Sequence, residues 1–153
     1  MKTVNQIDIQ APARAVFDLA QDVARWPSFL AHYRWVKVLQ ERAGFRLVEM
    51  AAKRNRLPCW WQSEQRRYPG ALKVHYRHTR GWTKGMEVWW ILKKRGPRAC
   101  RVLLTHDLRD PPDPLRRWFY QTVVGDFFVH YIADQTLAGL KRRAESGRAT
   151  RQA

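Results

Sequence analysis

The chain has 153 residues, of which 45% are hydrophobic, and it carries a formal net charge of +16. This length fits one domain with a core of its own, and this composition excludes an intrinsically disordered chain. No segment approaches the ~20 consecutive apolar residues of a membrane-spanning helix. The two cysteines form no metal-like cluster and no disulfide framework, so a reduced, cytoplasmic setting is the default expectation.

The first predicted elements are one strand and two short helices. Imperfect alternation over residues 3–9 predicts the strand, and the stretch before Pro12 lacks the apolar core of a signal peptide. Proline is tolerated in the first turn of a helix, so Pro12 and the apolar residues after it predict a helix through about residue 21. A second helical piece over residues 22–26 is expected to stop at Pro27, because the residue before a proline disfavours the α conformation.

Six strand-like runs follow, each ended by a turn signal. They are predicted over residues 33–39, 45–52, 59–68, 72–79, 86–92 and 100–108. After the proline cluster at 111–114, apolar residues recur at helical spacing, which predicts one long helix from about 113 to 145. We therefore expect a single domain over residues 1–146 and a basic disordered tail over residues 147–153.

This order of elements predicts the architecture. Runs of strands closed by a helix are typical of α+β folds with an antiparallel sheet. A curled seven-stranded sheet must cover its concave face, and the last helix is the only element long enough to do so. The arrangement leaves an elongated space between the sheet and the helix.

The stretch CWWQSEQRR at residues 59–67 places an unusual set of side chains on one face of its strand. By alternation Trp61, Ser63 and Gln65 share a face, and the residues between them point to the other side. Inward polar groups cost roughly 1–3 kcal/mol each unless they are hydrogen-bonded. The pair of Ser63 and Gln65 therefore favours a pocket that holds water or a polar ligand group.

Candidate titratable residues elsewhere are few. Tyr76, His106 and His130 are candidates for the pocket wall, although a satisfied core or surface position is the commoner role of such residues. A pocket histidine whose pKa is near ~6.5 can act as a general acid or base. The sequence has no carboxylate pair, Ser–His–acid set, metal-ligand spacing or Gly-rich phosphate loop, so we expect neither a metal nor another cofactor.

Two motifs on this element order carry a resemblance to a known family. RWPSFLAHY at residues 25–33 and WQSE at residues 61–64 resemble the helix-grip proteins of the START/Bet v 1-like superfamily, and the polyketide cyclase and aromatase/cyclase branch in particular. The resemblance implies an α+β helix-grip fold. In this fold a curved seven-stranded antiparallel sheet wraps around a long C-terminal helix, and two short helices follow the first strand.

The resemblance also implies a set of site residues. The tentative catalytic residues, expected to hydrogen-bond substrate carbonyls, are Tyr33, Ser63 and Gln65. The resemblance also implies Trp26, Trp61 and Trp90 as ligand-binding residues, and the residue pattern described above adds Tyr76, His106 and His130 to the expected set. Gln65 stands where the family pattern has an arginine, whose fixed charge and fork of donors can stabilise a developing enolate. Either Arg67, on the same face but ~6–7 Å along the strand, takes over this role or the arginine-dependent step is absent.

The expected ligand is a hydrophobic, aromatic or polyketide-like molecule. The family resemblance suggests a polyketide cyclase or aromatase that acts on a carrier-bound poly-β-ketone. The alternatives are a non-enzymatic carrier of a lipid or of a quinone such as coenzyme Q, and a regulatory domain with a vestigial pocket.

The basic residues are scattered over turns and helix ends. They suit docking to an acidic acyl carrier protein or to an anionic membrane surface, or they serve solubility. The sequence contains none of the known nucleic-acid-binding patterns, so we expect no specific nucleic acid partner. It is compatible with a monomer or a homodimer.

Overall fold

A computed structural model, which describes residues 1–149, contains one antiparallel sheet and a long C-terminal helix. The strands are β1 Lys2–Ile9, β2 Tyr33–Arg42, β3 Phe45–Arg54, β4 Leu57–Tyr68, β5 Lys73–Gly81, β6 Glu87–Gly96 and β7 Ala99–Asp107. Their order across the sheet is β1-β7-β6-β5-β4-β3-β2, and all neighbouring pairs are antiparallel. The predicted helix-grip α+β fold is confirmed, with most strands a few residues longer than predicted.

Two short helices connect β1 to β2. Helix α1, Ala13–Gln21, is followed by a 3-10 segment, Val23–Ser28. The prediction that this second piece ends before Pro27 is wrong. The backbone N–H of Phe29 donates to the carbonyl of Trp26, so the hydrogen bonds of this turn bypass the proline, which has no N–H to offer. Helix α1 buries one face, made of Ala13, Val16, Phe17 and Ala20.

The C-terminal helix has three consecutive parts. They are α2, Pro114–Phe119, a π-helical segment, Tyr120–Val129, and α3, His130–Ala149. The predicted long helix is therefore present. Helix α3 includes residues 147–149, which the sequence assigned to the tail, and the rest of that predicted tail, 150–153, lies outside the described residues.

The buried face of this helix differs from the predicted one in its first half. Leu115 and Phe119 belong to the predicted apolar stripe, but they are 75% and 41% exposed. A π helix closes i→i+5 hydrogen bonds instead of i→i+4, so a stripe read at α-helical spacing loses its register there. The segment instead buries Val124, Phe128 and Val129, which face the sheet side of the helix.

One glycine sets the position of the loop between β5 and β6. Gly81 has a φ of +98°, and a Cβ on it would lie 2.5 Å from the carbonyl oxygen of Trp60. Only glycine allows this approach of β5 to β4. The strand pairing shifts register close by, between Gln62 and Ser63. The glycine therefore directs the loop, which carries Trp82, toward the open end of the sheet.

In the described part of the chain no helix is long and apolar enough to cross a bilayer.

Candidate functional site

A cavity of about 70 Å³ lies between the sheet and the C-terminal helix. Its wall is largely apolar and aromatic. From the sheet side and its loops it is lined by Trp26, Tyr33, Met50, Cys59, Trp61, Tyr76, His78, Trp82, Thr83, Met86, Val88, Trp90, Leu104 and His106. From the helix it is lined by Val124, Phe128, Val129, Ile132, Ala133 and Thr136.

Four aromatic rings form the centre of this wall. The ring of Trp26 lies 5.2 Å from that of Tyr33 and 5.7 Å from that of Trp90, and Tyr33 lies 6.2 Å from Trp61. The indole N–H of Trp26 donates to the Leu19 carbonyl at 3.0 Å, so its polar atom is satisfied away from the cavity. The cluster presents flat apolar faces to the cavity, as predicted from the sequence for Trp26, Trp61 and Trp90.

The hydroxyl groups of Tyr33 and Tyr76 are the deepest polar groups of the wall. Burial raises the pKa of both phenols well above the ordinary range, so each stays a neutral O–H group. The oxygen of Tyr76 accepts a hydrogen bond from the side-chain amide of Gln65 at 2.9 Å. The proton of Tyr76 is therefore free to be donated into the cavity.

Gln65 itself lies behind the cavity wall. It is fully buried, and its amide nitrogen donates to the Gln21 carbonyl at 2.8 Å and to Tyr76. Both amide protons are thus used, and none is left for a substrate carbonyl. The prediction that Gln65 contacts the ligand is corrected: its cross-strand partner Tyr76 lines the cavity in its place.

Ser63 is also absent from the cavity wall, which corrects a second prediction. Its side chain is fully buried, and its hydroxyl has no hydrogen-bond partner among the described residues. It lies between Val48 and His78 in the strand register. Its inward strand position therefore places it in the core, but not in the cavity wall.

Arg67 does not take over the arginine role either. It is not part of the cavity wall, and its guanidinium lies 3.8 Å from the carboxylate of Glu41. A second arginine, Arg46, approaches the Gln21 carbonyl at 3.5 Å and is paired with Glu41 at 2.7 Å. Both cations therefore lie outside the cavity, and among residues 1–149 no arginine lines it.

Two histidines line the cavity and a third does not. Burial lowers the pKa of His78 and of His106 to about 3, so both rings are neutral at neutral pH. Nδ1 of His78 lies 2.6 Å from the Thr83 hydroxyl, and Nδ1 of His106 lies 3.3 Å from the Thr3 hydroxyl. In both rings Nε2 remains available for the cavity.

His130 faces β1 instead of the cavity, which corrects a third prediction. Its Nδ1 lies 3.1 Å from the amide nitrogen of Asn5. The same amide nitrogen donates to Asp134 at 2.7 Å. This contact ties α3 to the first strand and is a structural role.

The mouth of the cavity lies between the β5–β6 loop and the π segment. Trp82 lines the cavity and is still 54% exposed, so it reaches from the interior to the surface. Its ring packs edge-on against Phe128 with the centroids 5.9 Å apart. This pair therefore covers part of the cavity next to the surface.

Several lining residues are missing from the sequence prediction. Val129, Ile132, Ala133 and Thr136 recur at i, i+3, i+4 and i+7, so helical spacing was a usable signal for them. Trp82 and Thr83 carry no such signal, because a turn at Gly81 brings them to the cavity. No three His, Cys, Asp or Glu side chains in the described part of the chain are grouped as metal ligands.

Sequence comparison finds relatives over most of the chain. Residues 9–128 match the model of a family described as polyketide cyclase/dehydrase and lipid transport. The ribosome association toxin RatA of Pseudomonas aeruginosa is 30% identical over 102 residues, which cover 65% of this chain and 70% of that protein. A Streptomyces cyaneus protein provisionally named a polyketide cyclase is 31% identical over 115 residues, which cover 72% and 74%.

Solved structures with the same fold include the Zhui aromatase/cyclase from Streptomyces sp. R1128. Its TM-score is 0.80 at 18% identity, with 95% of this chain and 93% of that chain covered. A START superfamily protein from Mycobacterium smegmatis has a TM-score of 0.73 at 12% identity, with 95% and 97% covered. At these identities the likeness shows the fold alone.

Proposed function

The chain belongs to the polyketide cyclase/dehydrase and lipid transport family, and from that membership we propose that it binds a hydrophobic, aromatic or polyketide-like small molecule in its cavity. The observation that supports this proposal best is the cluster of Trp26, Tyr33, Trp61 and Trp90 around an enclosed space. Ligand sites combine such apolar walls with a few directed polar groups. Here the hydroxyl of Tyr76 is such a group for a ligand carbonyl.

Ligand binding requires the cavity to widen. Its volume is about 70 Å³, whereas an engineered apolar cavity that binds benzene measures ~150 Å³. The Trp82–Phe128 contact at the mouth and the π segment behind it are the elements that would move. Single-turn π distortions occur often at functional sites.

The catalytic part of the proposal is ring closure by positioning. A bound poly-β-ketone would lose an α-proton, form a carbon–carbon bond from that carbon to a carbonyl carbon, and gain a proton on the carbonyl oxygen. The hydroxyls of Tyr33 and Tyr76 suit hydrogen bonding to carbonyls. A histidine pKa of about 3 lies far below the value that suits a general base at neutral pH, so His78 and His106 suit hydrogen bonding to the substrate and not proton abstraction. Holding the reacting carbons together contributes several kcal/mol, of the order of ~7.

The binding proposal is tested with the uncharged dye Nile red and a variant that fills the cavity. Ala133 lies on the cavity face of α3, so we expect Ala133→Leu to lower dye affinity about tenfold or more, which corresponds to ~1.4 kcal/mol. Ala138→Leu is the matched control, since Ala138 lies on the same helix but does not line the cavity. Equal dye affinity in the two variants would contradict binding in this cavity.

The catalytic part has its own experiment. The purified protein is incubated with a carrier-bound poly-β-ketone, and the cyclised products are compared with those formed without protein. We expect a changed product pattern with the wild type and loss of most of that change in Tyr33→Phe, which removes one hydroxyl donor. Identical product patterns with and without protein would rule out the cyclase function.

A second candidate function is transport of a lipid or a quinone. Gln65 offers no donor to the cavity, and no arginine in the described part of the chain lines it, which suits a carrier better than an enzyme that stabilises an enolate. Leu115, Trp118 and Phe119 of α2 are exposed next to the π segment. Together with the neighbouring arginines they suit contact with an anionic membrane.

The carrier function is tested by native mass spectrometry of protein purified from its own host. We expect a co-purified lipid or quinone, bound one to one, that is displaced when Ala133 is replaced by leucine. Repeated absence of a bound molecule from wild-type preparations would count against the carrier function.

A further inference from the structure

A second concave site lies outside the cavity and plays no part in the proposed function. It is a groove of about 340 Å³ between α3, the loop before β2 and the end of β3. Its polar lining comprises His32, Lys53, Asn55, Tyr131, Gln135 and Arg142. This lining contains no carboxylate. The three segments that form it come from distant parts of the chain.

The walls of this groove are held in place without a ligand. The backbone N–H of Lys53 donates to the carbonyl of His32 at 2.8 Å, which joins β3 to the loop before β2. Nε2 of His32 lies 2.8 Å from the Thr136 hydroxyl, which joins that loop to α3. The guanidinium of Arg54 lies 4.8 Å from the ring centroid of Tyr131, which joins the β3 end to α3. The lining is therefore organised in advance.

The charges of the groove select an anion. Lys53 and Arg142 make no ion pair with any residue in the described part of the chain. The side-chain amides of Asn55 and Gln135 and the phenol of Tyr131 can add neutral hydrogen bonds. Two cations and several donors from three segments suit the tetrahedrally arranged oxygens of a phosphate group better than the two coplanar oxygens of a carboxylate. We propose that this groove binds the phosphate group of a phosphorylated molecule.

The groove and the cavity are separate sites. Thr136 lines the cavity and His32 lines the groove, so the hydrogen bond between them is part of the partition. Phosphate binding therefore needs no cavity ligand, and each of the two proposals can be tested without the other. The phosphate can belong to a soluble small molecule or to a phospholipid headgroup, and the experiment distinguishes these two sources.

The first arm titrates the full chain with sodium phosphate at pH 7, against sodium chloride at equal ionic strength, and follows backbone and histidine signals by NMR. We expect saturable shifts confined to residues around 30–32, 53–55 and 131–142. In Lys53→Ala/Arg142→Ala the apparent affinity should fall about tenfold or more, because charge-assisted hydrogen bonds are lost. Lys93→Ala/Arg95→Ala removes the same charge from β6, outside the groove, and should change the affinity less than about twofold.

The pKa of His32 is a second measurement, and it reports on the charge inside the groove itself. Burial, and next the nearby cation of Arg142, lower the pKa of His32 to about 4. Lys53 is the other charged group of the lining, and a bound phosphate offsets both cations. We therefore expect the pKa of His32 to rise on phosphate binding in the wild type and in the β6 control, but not in the groove variant.

The second arm uses vesicles of phosphatidylcholine with and without phosphatidylglycerol. Saturable binding of inorganic phosphate in the groove supports a soluble phosphorylated ligand. Absence of phosphate binding, with vesicle binding that the groove variant loses and the control keeps, supports a phospholipid headgroup. The proposal is overturned when neither arm shows binding, or when the groove variant and the β6 control behave alike in both arms.

Discussion

At the scale of single residues, the closed end of the cavity depends on a hydrogen-bonded pair. Gln65 donates hydrogen bonds to Tyr76 and to the Gln21 carbonyl. It therefore orients Tyr76, which lines the cavity, although Gln65 is not part of the cavity wall. The family resemblance drew attention to this position because an arginine is expected there. Its role here is positioning, and the hydroxyl proton of Tyr76 is the group presented to a ligand.

Replacing Gln65 with methionine tests this role. The substitution keeps the volume but removes both hydrogen bonds, which leaves the Gln21 carbonyl with only the longer contact to Arg46, at 3.5 Å. We expect the free energy of unfolding to fall by ~1–3 kcal/mol, measured by urea denaturation. Gln62→Met on the outer face of β4 is the control. It removes one hydrogen bond, to Glu49, at a half-buried position where water can replace the lost partner, so a change below ~1 kcal/mol is expected there. Equal effects of the two substitutions would contradict the positioning role.

The buried histidines predict a loss of stability in acid. Burial lowers the pKa of His78 and His106 to about 3 in the folded chain, while an unfolded histidine titrates near ~6.5. Between these values the unfolded chain binds more protons, so the free energy of unfolding falls as the pH drops from about 6.5 toward 3. Each ring contributes up to ~1.4 kcal/mol per pH unit.

The measurement is urea denaturation at a series of pH values. In His78→Asn we expect a shallower dependence on pH over this range, because one of the three imidazoles whose pKa is lowered by burial, those of His32, His78 and His106, is removed. A slope equal to that of the wild type would show that His78 does not contribute to it.

At the scale of elements, the C-terminal helix combines three tasks along one axis. Its π segment supplies Val124 and Phe128 to the mouth, and the first half of α3 supplies Ala133 and Thr136 to the cavity. Another side of α3 contributes to the cationic groove, and Asn5 ties the helix to β1 through Asp134. Small movements of this one element therefore affect the cavity and the groove together.

Close packing of α3 depends on Gly139. A Cβ on this residue would lie 2.2 Å from a methyl group of Leu30, which is buried. We expect Gly139→Ala to lower the free energy of unfolding by ~1–3 kcal/mol, an overpacking cost that exceeds the better helix propensity of alanine.

Gly147→Ala on the same helix is the matched control for thermal denaturation. No atom lies within 4 Å of the Cβ position there, so we expect a gain of up to ~1 kcal/mol. Stabilisation by both substitutions would mean that Leu30 can give way.

At the scale of the whole molecule, the net charge of +16 acts on the folded state as a whole. Exposed ion pairs such as Arg101–Asp8, at 2.7 Å, offset only a small part of the repulsion among 29 basic residues. Such a field draws anions and anionic surfaces toward the protein, which suits both the groove and the membrane alternative. The same repulsion between like charges lowers the free energy of unfolding.

Added salt is therefore expected to stabilise the chain. Raising sodium chloride from about 0.01 M to 1 M shortens the Debye length from ~30 Å to ~3 Å and screens the repulsion. We expect the thermal midpoint to rise, and each ~1 kcal/mol gained corresponds to about 2–4 °C at this size. Sodium chloride, and not phosphate, is used so that the groove stays empty of phosphate. A falling midpoint would show that the exposed ion pairs outweigh the repulsion.

The sequence by itself determined the order of elements and the inward faces of the strands. Alternation placed Trp61, Ser63 and Gln65 inside, and the proline cluster marked the change from sheet to helix. These signals depend on residues a few positions apart, so they can be read without knowing the partners. They could not indicate the π segment, because its hydrogen bonds depart from the regular α spacing.

Only the tertiary structure decided which inward residues meet the cavity. Ser63, Gln65 and His130 are inside or partly buried but do not line it, because Tyr76 and other larger neighbours from other strands occupy that wall and β1 engages His130. The groove could not be predicted either, since Lys53 and Arg142 are 89 positions apart. Burial is a property of local pattern, whereas the composition of a wall depends on contacts between distant segments.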